Sequence, residues 1–404
     1  MNILYFASID FYSKPNPSFH LMTTMIDDIL KEGHKIYFIG CAEEGVDKHI
    51  PQNLEKDSKF VFQLIHVPKV KKSSFIKRYF YGISYAFKTI KFLKKFIPEV
   101  DLIFVQSSPT VLYNLYFAKK YSKKAKIIYN VQDMFPGSSI ASGVMPYKWM
   151  QSIFYMLQKI AYKKADIITA ISEDMKQKLI DQNVPDEKVR VIVNWFDDQS
   201  VHYVKWEENR FVKKYNMDKN KFYIQYAGTM GYVFDYLMVI EVAKKLKEYE
   251  DIEIQMIGAG SQKEVFISKA FECGLDNIKF LPLEPQEMVS DVYSACDLCF
   301  IPLKKGIIGN SVPSKAGLLM ECKKAIVTTV DENSDYSFMI NKNKIGYAVS
   351  TPEEAVESIL YLYKNREECI KCGERGYEYG HNLYSRKNNI DRYLKLFSEI
   401  IGEK

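Results

Sequence analysis

Short apolar, β-branched runs alternate with longer amphipathic runs along most of this chain. Runs at 3–7, 35–39, 60–66, 102–106, 127–130, 167–171 and 189–193 predict strands. Between them, 21–32, 76–96, 111–121, 148–163 and 174–183 carry apolar residues at helical spacing and predict helices. A charged stretch at 206–221 reads as a linker. A second series follows it, with strands predicted at 222–227, 252–257, 278–282, 298–302, 325–329 and 346–349. Its helices are predicted at 237–248, 263–273, 285–295, 315–323 and 351–365. Such alternation is the pattern of a parallel sheet covered on both faces. The expected fold class is therefore α/β, with two doubly wound Rossmann-like domains at 1–205 and 206–385. A final amphipathic run at 391–401 places a helix within 386–404, expected to pack back on the first domain. Two such domains facing each other would create a cleft at the carboxyl ends of their sheets, where ligands bind.

Composition narrows the function. At 404 residues the chain exceeds one ordinary core. An apolar fraction of 47% and a charged fraction of 26% are those of a soluble globular protein. The net charge of +6 is too small to imply nucleic-acid binding. No apolar run reaches bilayer-spanning length. Met1-Asn2 leads straight into ILYFASI without the features of a signal peptide, so the cytoplasm is expected. Seven scattered cysteines do not form a disulfide framework. The C-x-x-C pairs Cys296/Cys299 and Cys369/Cys372 could supply four thiolates to zinc. However, 296–301 reads as a buried strand, which would point Cys296 and Cys299 to opposite faces, and no metal is expected.

The charge is unevenly spread. From Pro68 to Pro98 there are Lys69, Lys71, Lys72, Lys77, Arg78, Lys88, Lys91, Lys94 and Lys95, interleaved with aromatics. Phe75, Tyr79, Ile83, Ala86, Ile90 and Leu93 form one helical stripe, the face expected on the sheet. Arg78, Tyr81, Tyr85, Phe92 and Phe96 form a second strip flanked by lysines. A basic aromatic outer face suits an anionic membrane surface. A solvated basic helix is the plainer alternative.

The chemistry concentrates in the second half. Asn310 and Ser311 precede Val312-Pro313-Ser314-Lys315 and an apolar run carrying Glu321. Six residues span about 600° of helix, so Lys315 and Glu321 point about 120° apart and can hold two parts of one extended ligand. A lysine at a helix start suits a diphosphate, and a carboxylate two turns on suits ribose hydroxyls. Gly228-Thr229-Met230-Gly231 and Gly258-Ala259-Gly260 each follow a predicted strand. Glycines there allow backbone amides to approach phosphate, although a βα turn also uses glycine for structural reasons alone. The third glycine of a dinucleotide fingerprint is missing, so no nicotinamide cofactor is expected. In the first half, Gln132 and Asp133 close a strand, where Asp133 could orient a sugar hydroxyl or cap a turn. The loop from Tyr12 to His20 follows the first strand and is stiffened by Pro15 and Pro17. His20 and His34 read as structural.

These segments together resemble the retaining GT-B glycosyltransferases of family 4, in their bacterial surface-polysaccharide (WbuB-like) branch. The resemblance rests on Asp133-Met134-Phe135-Pro136; Ala161 to Asp166 with Ile171-Ser172-Glu173; Val191 to Trp195; Tyr226 to Gly231; Gly258 to Gly260; and Val312 to Lys315 with Glu321. It implies that Glu321 binds the donor ribose and that Gly228, Thr229, Gly231 and Lys315 face the diphosphate. It places the sugar end near Asn310 and Ser311, and the acceptor near Gln132 and Asp133. Pro313 stands where many relatives carry a first glutamate. No Arg or Lys follows the Gly228 turn, which leaves Lys315 as the main phosphate cation. Pro-Asn-Pro replaces a glycine pair in the first loop.

The function expected is transfer of a sugar, with retention, from a nucleotide diphosphate donor, UDP-linked in this reading, to a lipid-linked saccharide. The enzyme would need neither cofactor nor metal and would lie at the inner face of the membrane. An epimerase acting on the donor alone, or a non-catalytic nucleotide-sugar-binding component of an assembly complex, are the alternatives.

Overall fold

The computed structural model describes residues 1–10, 17–44, 50–68, 75–197, 200–310 and 315–402. Ser311, Pro313, Ser314, the stretch from Lys69 to Lys72, and Tyr12 to Asn16 of the first loop lie outside them. The chain divides into two compact units. One comprises Met1–Ile140, Met145–Asn194 and Lys387–Lys404, and the other Ala141–Val144 and Trp195–Arg386. Residues 195–205 therefore belong to the second unit rather than the first.

The first unit holds strands β1 (Asn2–Asp10), β2 (Lys35–Glu43), β3 (Phe60–Val67), β4 (Leu102–Gln106), β5 (Lys126–Asn130), β6 (Ile167–Ala170) and β7 (Val189–Val191). They lie in the order β3-β2-β1-β4-β5-β6-β7, all parallel. The second unit holds β8 (Phe222–Ala227), β9 (Ile252–Ile257), β10 (Ile278–Leu281), β11 (Leu298–Pro302), β12 (Ala325–Thr329) and β13 (Gly346–Val349). Their order is β10-β9-β8-β11-β12-β13, again parallel. Both sheets reverse their direction of winding beside their first strand. That point, at the carboxyl edge, is where open α/β sheets bind ligands.

The reason for this layering is visible in β8. Phe222, Ile224 and Tyr226 join one hydrophobic cluster, while Tyr223 and Ala227 join the cluster on the opposite face. Alternate side chains of a strand point to opposite faces, so a strand covered on both sides is mostly apolar; in β8 the polar Gln225 is buried within 3.5 Å of Gln255 Oε1. Every residue of β8 is buried.

Several elements depart from the predicted pattern. The stretch 206–221 is no linker. It contains the helix Arg210–Lys214, capped by the side chain of buried Asn209. Arg210 Nη2 donates to Asp291 Oδ2 at 2.6 Å, and Phe211 is wholly buried. The surface charges concealed an anchored helical turn. The helices Asp335–Lys342 and Arg366–Leu383 were also not predicted. The longer one carries Gly373, Gly376 and Gly380, each of which weakens an isolated helix by about 1 kcal/mol relative to alanine. Tertiary contact explains them. A Cβ on Gly380 would lie 2.6 Å from Met320 Sδ, on the facing helix Ala316–Glu321.

The C-terminal helix Arg386–Ile401 packs within the first unit from Lys387 onward. The rings of Tyr393 and Phe397 lie 5.8 and 6.0 Å from Phe104 of β4.

Candidate functional site

In the second unit, the loops after β8 and β9 are stacked on each other. Gly228 N donates to Ile257 O at 2.8 Å, and Met230 N to Ala259 O at 2.9 Å. Gly228 and Gly258 have φ of 148° and 140°, a region open to glycine. A Cβ on Gly258 would run into the Gly228 carbonyl, and one on Gly260 into the Met230 backbone. Lys263, which the sequence did not single out, braces the stack. Its ammonium donates to Gly258 O at 2.8 Å. Among the described residues, the amides of Thr229 and Gly231 have no partner. Thr229 is exposed, so this turn presents free N–H donors at the carboxyl edge of β8.

Lys315 closes over this turn. It sits just before the helix Ala316–Glu321, and its side chain occupies the space a Cβ on Gly228 would need. Its Nζ lies 3.6 Å from the centroid of the Tyr226 ring. The Tyr226 hydroxyl in turn donates to Thr229 O at 2.8 Å. Among the described residues no carboxylate pairs with the Lys315 ammonium. Burial without a counter-charge pushes its pKa down to about 7. A buried cation beside free amides is suited to an anion.

Glu321, at the other end of the helix, is 7% exposed. Its Oε2 accepts from His381 Nδ1 at 2.8 Å. His381 lies on the unpredicted helix Arg366–Leu383, and no sequence signal marks it. The two candidate residues thus address different surroundings: Lys315 the glycine turn, Glu321 a histidine sixty positions later. Asn310 donates its side-chain amide to Gly306 O at 2.9 Å. The expected sugar-end residue Ser311, with Pro313 and Ser314, is outside the described residues.

Cys296 and Cys299 do not point apart as the strand reading requires. Cys296 lies in the bend before β11, where alternation does not apply, and the two Sγ atoms are 3.5 Å apart in one core. Among the described residues no group of three or more His, Cys, Asp or Glu side chains is arranged to hold a metal ion.

In the first unit, Gln132 and Asp133 follow β5 at its carboxyl end. The Gln132 side chain is tied on both sides. Its Nε2 donates to Asn130 Oδ1 and its Oε1 accepts from Asn194 Nδ2, each at 2.8 Å. Asn130 also donates to the hydroxyl of Tyr393 at 2.6 Å, so the C-terminal helix supports this corner. Gln132 therefore shapes the loop, and Asp133 is an exposed residue beside it.

The glycine turns, Lys315, Glu321, Gln132 and Asp133 lie within two matched family models. Residues 21–200 match Glycosyltransferase Family 4, and residues 207–379 match Glycosyl transferases group 1. The chain is a glycosyltransferase with these two domains. It is 24% identical over 403 residues to an uncharacterized glycosyltransferase, MJ1069, of Methanocaldococcus jannaschii, covering 93% of this chain and 98% of that one. It is 23% identical to the putative colanic acid biosynthesis glycosyl transferase WcaI of Escherichia coli K12, over 57% of this chain and 56% of that one. Its fold is similar to that of Anabaena HepE solved with UDP-glucose, with a TM-score of 0.74 and 12% identity, covering 99% of this chain and all of that one.

The glycosyltransferase also bears the basic aromatic helix expected from sequence, now placed at Phe75–Phe96. Its outer strip is different from the one predicted. Tyr85 and Phe96 are buried. The Tyr85 hydroxyl sits 3.0 and 2.9 Å from the carbonyls of Ala7 and Ile39, and Phe96 packs 5.0 Å from the Tyr37 ring. A tyrosine hydroxyl can be buried where carbonyls receive it, which a helical wheel does not register. Arg78 of the predicted strip is exposed, and the large apolar side chains beside it are Ile76 at 68%, Phe80 at 64% and Phe87, with Lys77, Lys88, Lys91, Lys94 and Lys95 exposed around them. The sequence reading missed a second stripe. The helix Lys148–Lys164 exposes Trp149 at 67%, with Ile153, Met156 and Ile160 at helical spacing. Tyr79 and Phe154 join the two helices, their rings 5.0 Å apart. No helix among the described residues is long and apolar enough to cross a membrane.

Proposed function

We propose that this glycosyltransferase moves a sugar from a UDP-linked donor, with retention, to a lipid-linked saccharide in surface-polysaccharide synthesis. The observation that carries the donor assignment is the buried Lys315 ammonium, which lacks a carboxylate partner and lies against a turn with two free amides. A diphosphate supplies the missing charge. The similarity in fold to HepE, solved with UDP-glucose, favours uridine. The naming of WcaI for colanic acid biosynthesis favours a polysaccharide product.

In this reading the difficult event is departure of the nucleotide diphosphate as the sugar gains positive character. Lys315 and the Thr229 and Gly231 amides stabilise the charge growing on the leaving phosphate. The acceptor hydroxyl attacks from the face the diphosphate leaves. The anomeric carbon–phosphate oxygen bond breaks, the glycosidic bond forms, and the acceptor proton passes to the departing phosphate oxygen. Asp133 orients the acceptor hydroxyl, and Gln132 holds its loop. The exposed apolar and basic side chains of the two neighbouring helices of the first unit are suited to an anionic membrane, where a lipid-linked acceptor resides.

Lys315→Ala tests the core of this proposal. One lost charge-assisted contact to the leaving group costs about 3 kcal/mol of barrier, more than a hundredfold in turnover. The variant is expected to remain folded. Transfer is followed by mass spectrometry with a panel of UDP-sugars and lipid-linked acceptors. Wild-type turnover by Lys315→Ala would remove the assignment. Epimerised donor without glycosylated lipid would replace transferase by epimerase, and donor binding without nucleotide release would indicate a non-catalytic component.

A further inference from the structure

Tyr226, near the end of β8, connects the two halves of the Lys315 site. Its ring lies against the Lys315 ammonium, with Nζ 3.6 Å from the ring centroid. Wholly buried Phe234 packs on the same ring, centroids 4.7 Å apart, and leaves it little room to turn. The face of an aromatic ring attracts a cation without supplying a carboxylate that an incoming anion would have to displace. The far end of Tyr226 serves the turn. Its hydroxyl donates to Thr229 O at 2.8 Å, and Met230 N of the same peptide unit donates to Ala259 O at 2.9 Å. The planar unit between the amides of Thr229 and Gly231 is thereby fixed at both edges. Other titratable groups stand near. The Cys299 thiol of β11 acts on Lys315, and the Tyr293 hydroxyl donates to Ala227 O at 3.1 Å. Burial pushes both groups up, so neither is charged near neutral pH. The Lys263 ammonium is taken up by Gly258 O.

We infer that Tyr226 is a positioning residue of the anion site, whose ring seats the Lys315 ammonium over the Gly228 turn and whose hydroxyl orients the amides of that turn. The inference rests on the reading of Lys315 and this turn as the diphosphate site. A cation taken out of water gives up its proton more readily. The ring opposes this, so the charge is in place when the anion arrives. An aliphatic side chain there would leave Lys315 neutral over a wider range of pH. Tyr226 thus acts on the ligand through Lys315 and through Thr229.

The test uses the full chain and UDP as the probe, with affinity measured by calorimetry at about pH 6 and about pH 8, either side of the Lys315 titration. Tyr226→Phe keeps the ring and loses the hydroxyl. It should weaken UDP by about fivefold, equally at both pH values. Tyr226→Leu also loses the ring. Relative to Tyr226→Phe it should lose about a further tenfold at the higher pH and no more than about twofold at the lower, where much of Lys315 is charged without the ring. If Tyr226→Leu does not fold, pentafluorophenylalanine at position 226 takes its place, because its ring keeps the shape and lacks the negative face; it should show the same dependence on pH. A further loss equal at both pH values would mean a merely structural role for the ring and overturn the inference, as would no further loss. Wild-type affinity in Tyr226→Phe would remove the hydroxyl from it. Lys315→Met separates failure of the site from failure of this residue. If it binds UDP as the wild type does, the diphosphate reading of Lys315 falls. If it loses UDP while removal of the ring gives no loss dependent on pH, only the role of Tyr226 falls.

Discussion

Lys315→Met should stabilise the ligand-free protein while destroying its grip on the donor. Burial moves the lysine from an ordinary pKa of 10.5 to about 7. At neutral pH a shift of that size sets a ceiling of about 4 kcal/mol on the cost of burying the ammonium. Part of the residue surface remains accessible, and the contact with the Tyr226 ring returns some energy, which leaves about 1–3 kcal/mol. Methionine has a similar length, needs no solvation and packs well on an aromatic ring. A second unit of this size should gain a few degrees in melting temperature. The pH dependence has a definite sign. Between about pH 7 and 10 the unfolded lysine keeps its proton and the folded one does not, so wild-type stability rises with pH through this window. Below pH 7 both states are protonated and the cost is fully present. The stability advantage of Lys315→Met should thus be largest at pH 7 and below, and vanish towards pH 10. Thermal unfolding of both proteins at pH 6.5, 8 and 9.5 measures it, and common titrations cancel in the difference. A variant less stable than wild type at pH 7, or an advantage that does not shrink with alkali, would refute the reasoning from a buried unpaired cation.

Three further outcomes are expected. Binding of UDP at pH 8 should take up close to one proton, because the diphosphate recharges a mostly neutral Lys315; calorimetry in buffers of different ionisation enthalpy reads this, and zero uptake counts against the pairing. Gly258→Ala forces a side chain at a φ of 140° and into the Gly228 carbonyl, so it should cost about 1–3 kcal/mol of stability and loosen UDP binding; an unchanged melting temperature would show that the two loops are not stacked as described. Reversing the charges of Lys77, Lys88 and Lys95 should lower binding to anionic vesicles by at least a hundredfold at about 1 kcal/mol per lysine, and Trp149→Ser with Phe80→Ser should weaken it further. Unaltered co-sedimentation of both variants would remove the membrane face.

The thirteen strands among the described residues could be read in advance because a strand buried on both faces leaves a short, nearly continuous apolar run, as in Phe222–Ala227 and Leu102–Gln106. The glycine turns were also legible, since close backbone approach restricts residue type locally; that Lys315 lies against one of them while Glu321 meets His381 was decided by the fold. The helix Arg366–Leu383 was not, because its three glycines are unfavourable locally and make sense only against the facing helix and strand edge. For the same reason His381 could not be found: its partner lies sixty residues away in sequence. Tyr85 was misplaced because its hydroxyl is accepted by carbonyls of two other strands, which no wheel contains. Gln132 illustrates the division most simply. Its position at the end of β5 is a matter of local pattern, but its pairing with Asn130 and Asn194 arises only once the sheet aligns the ends of its strands. Periodicity acts along the chain and determines elements; hydrogen-bond satisfaction and steric fit act between elements, and only the folded structure decides them.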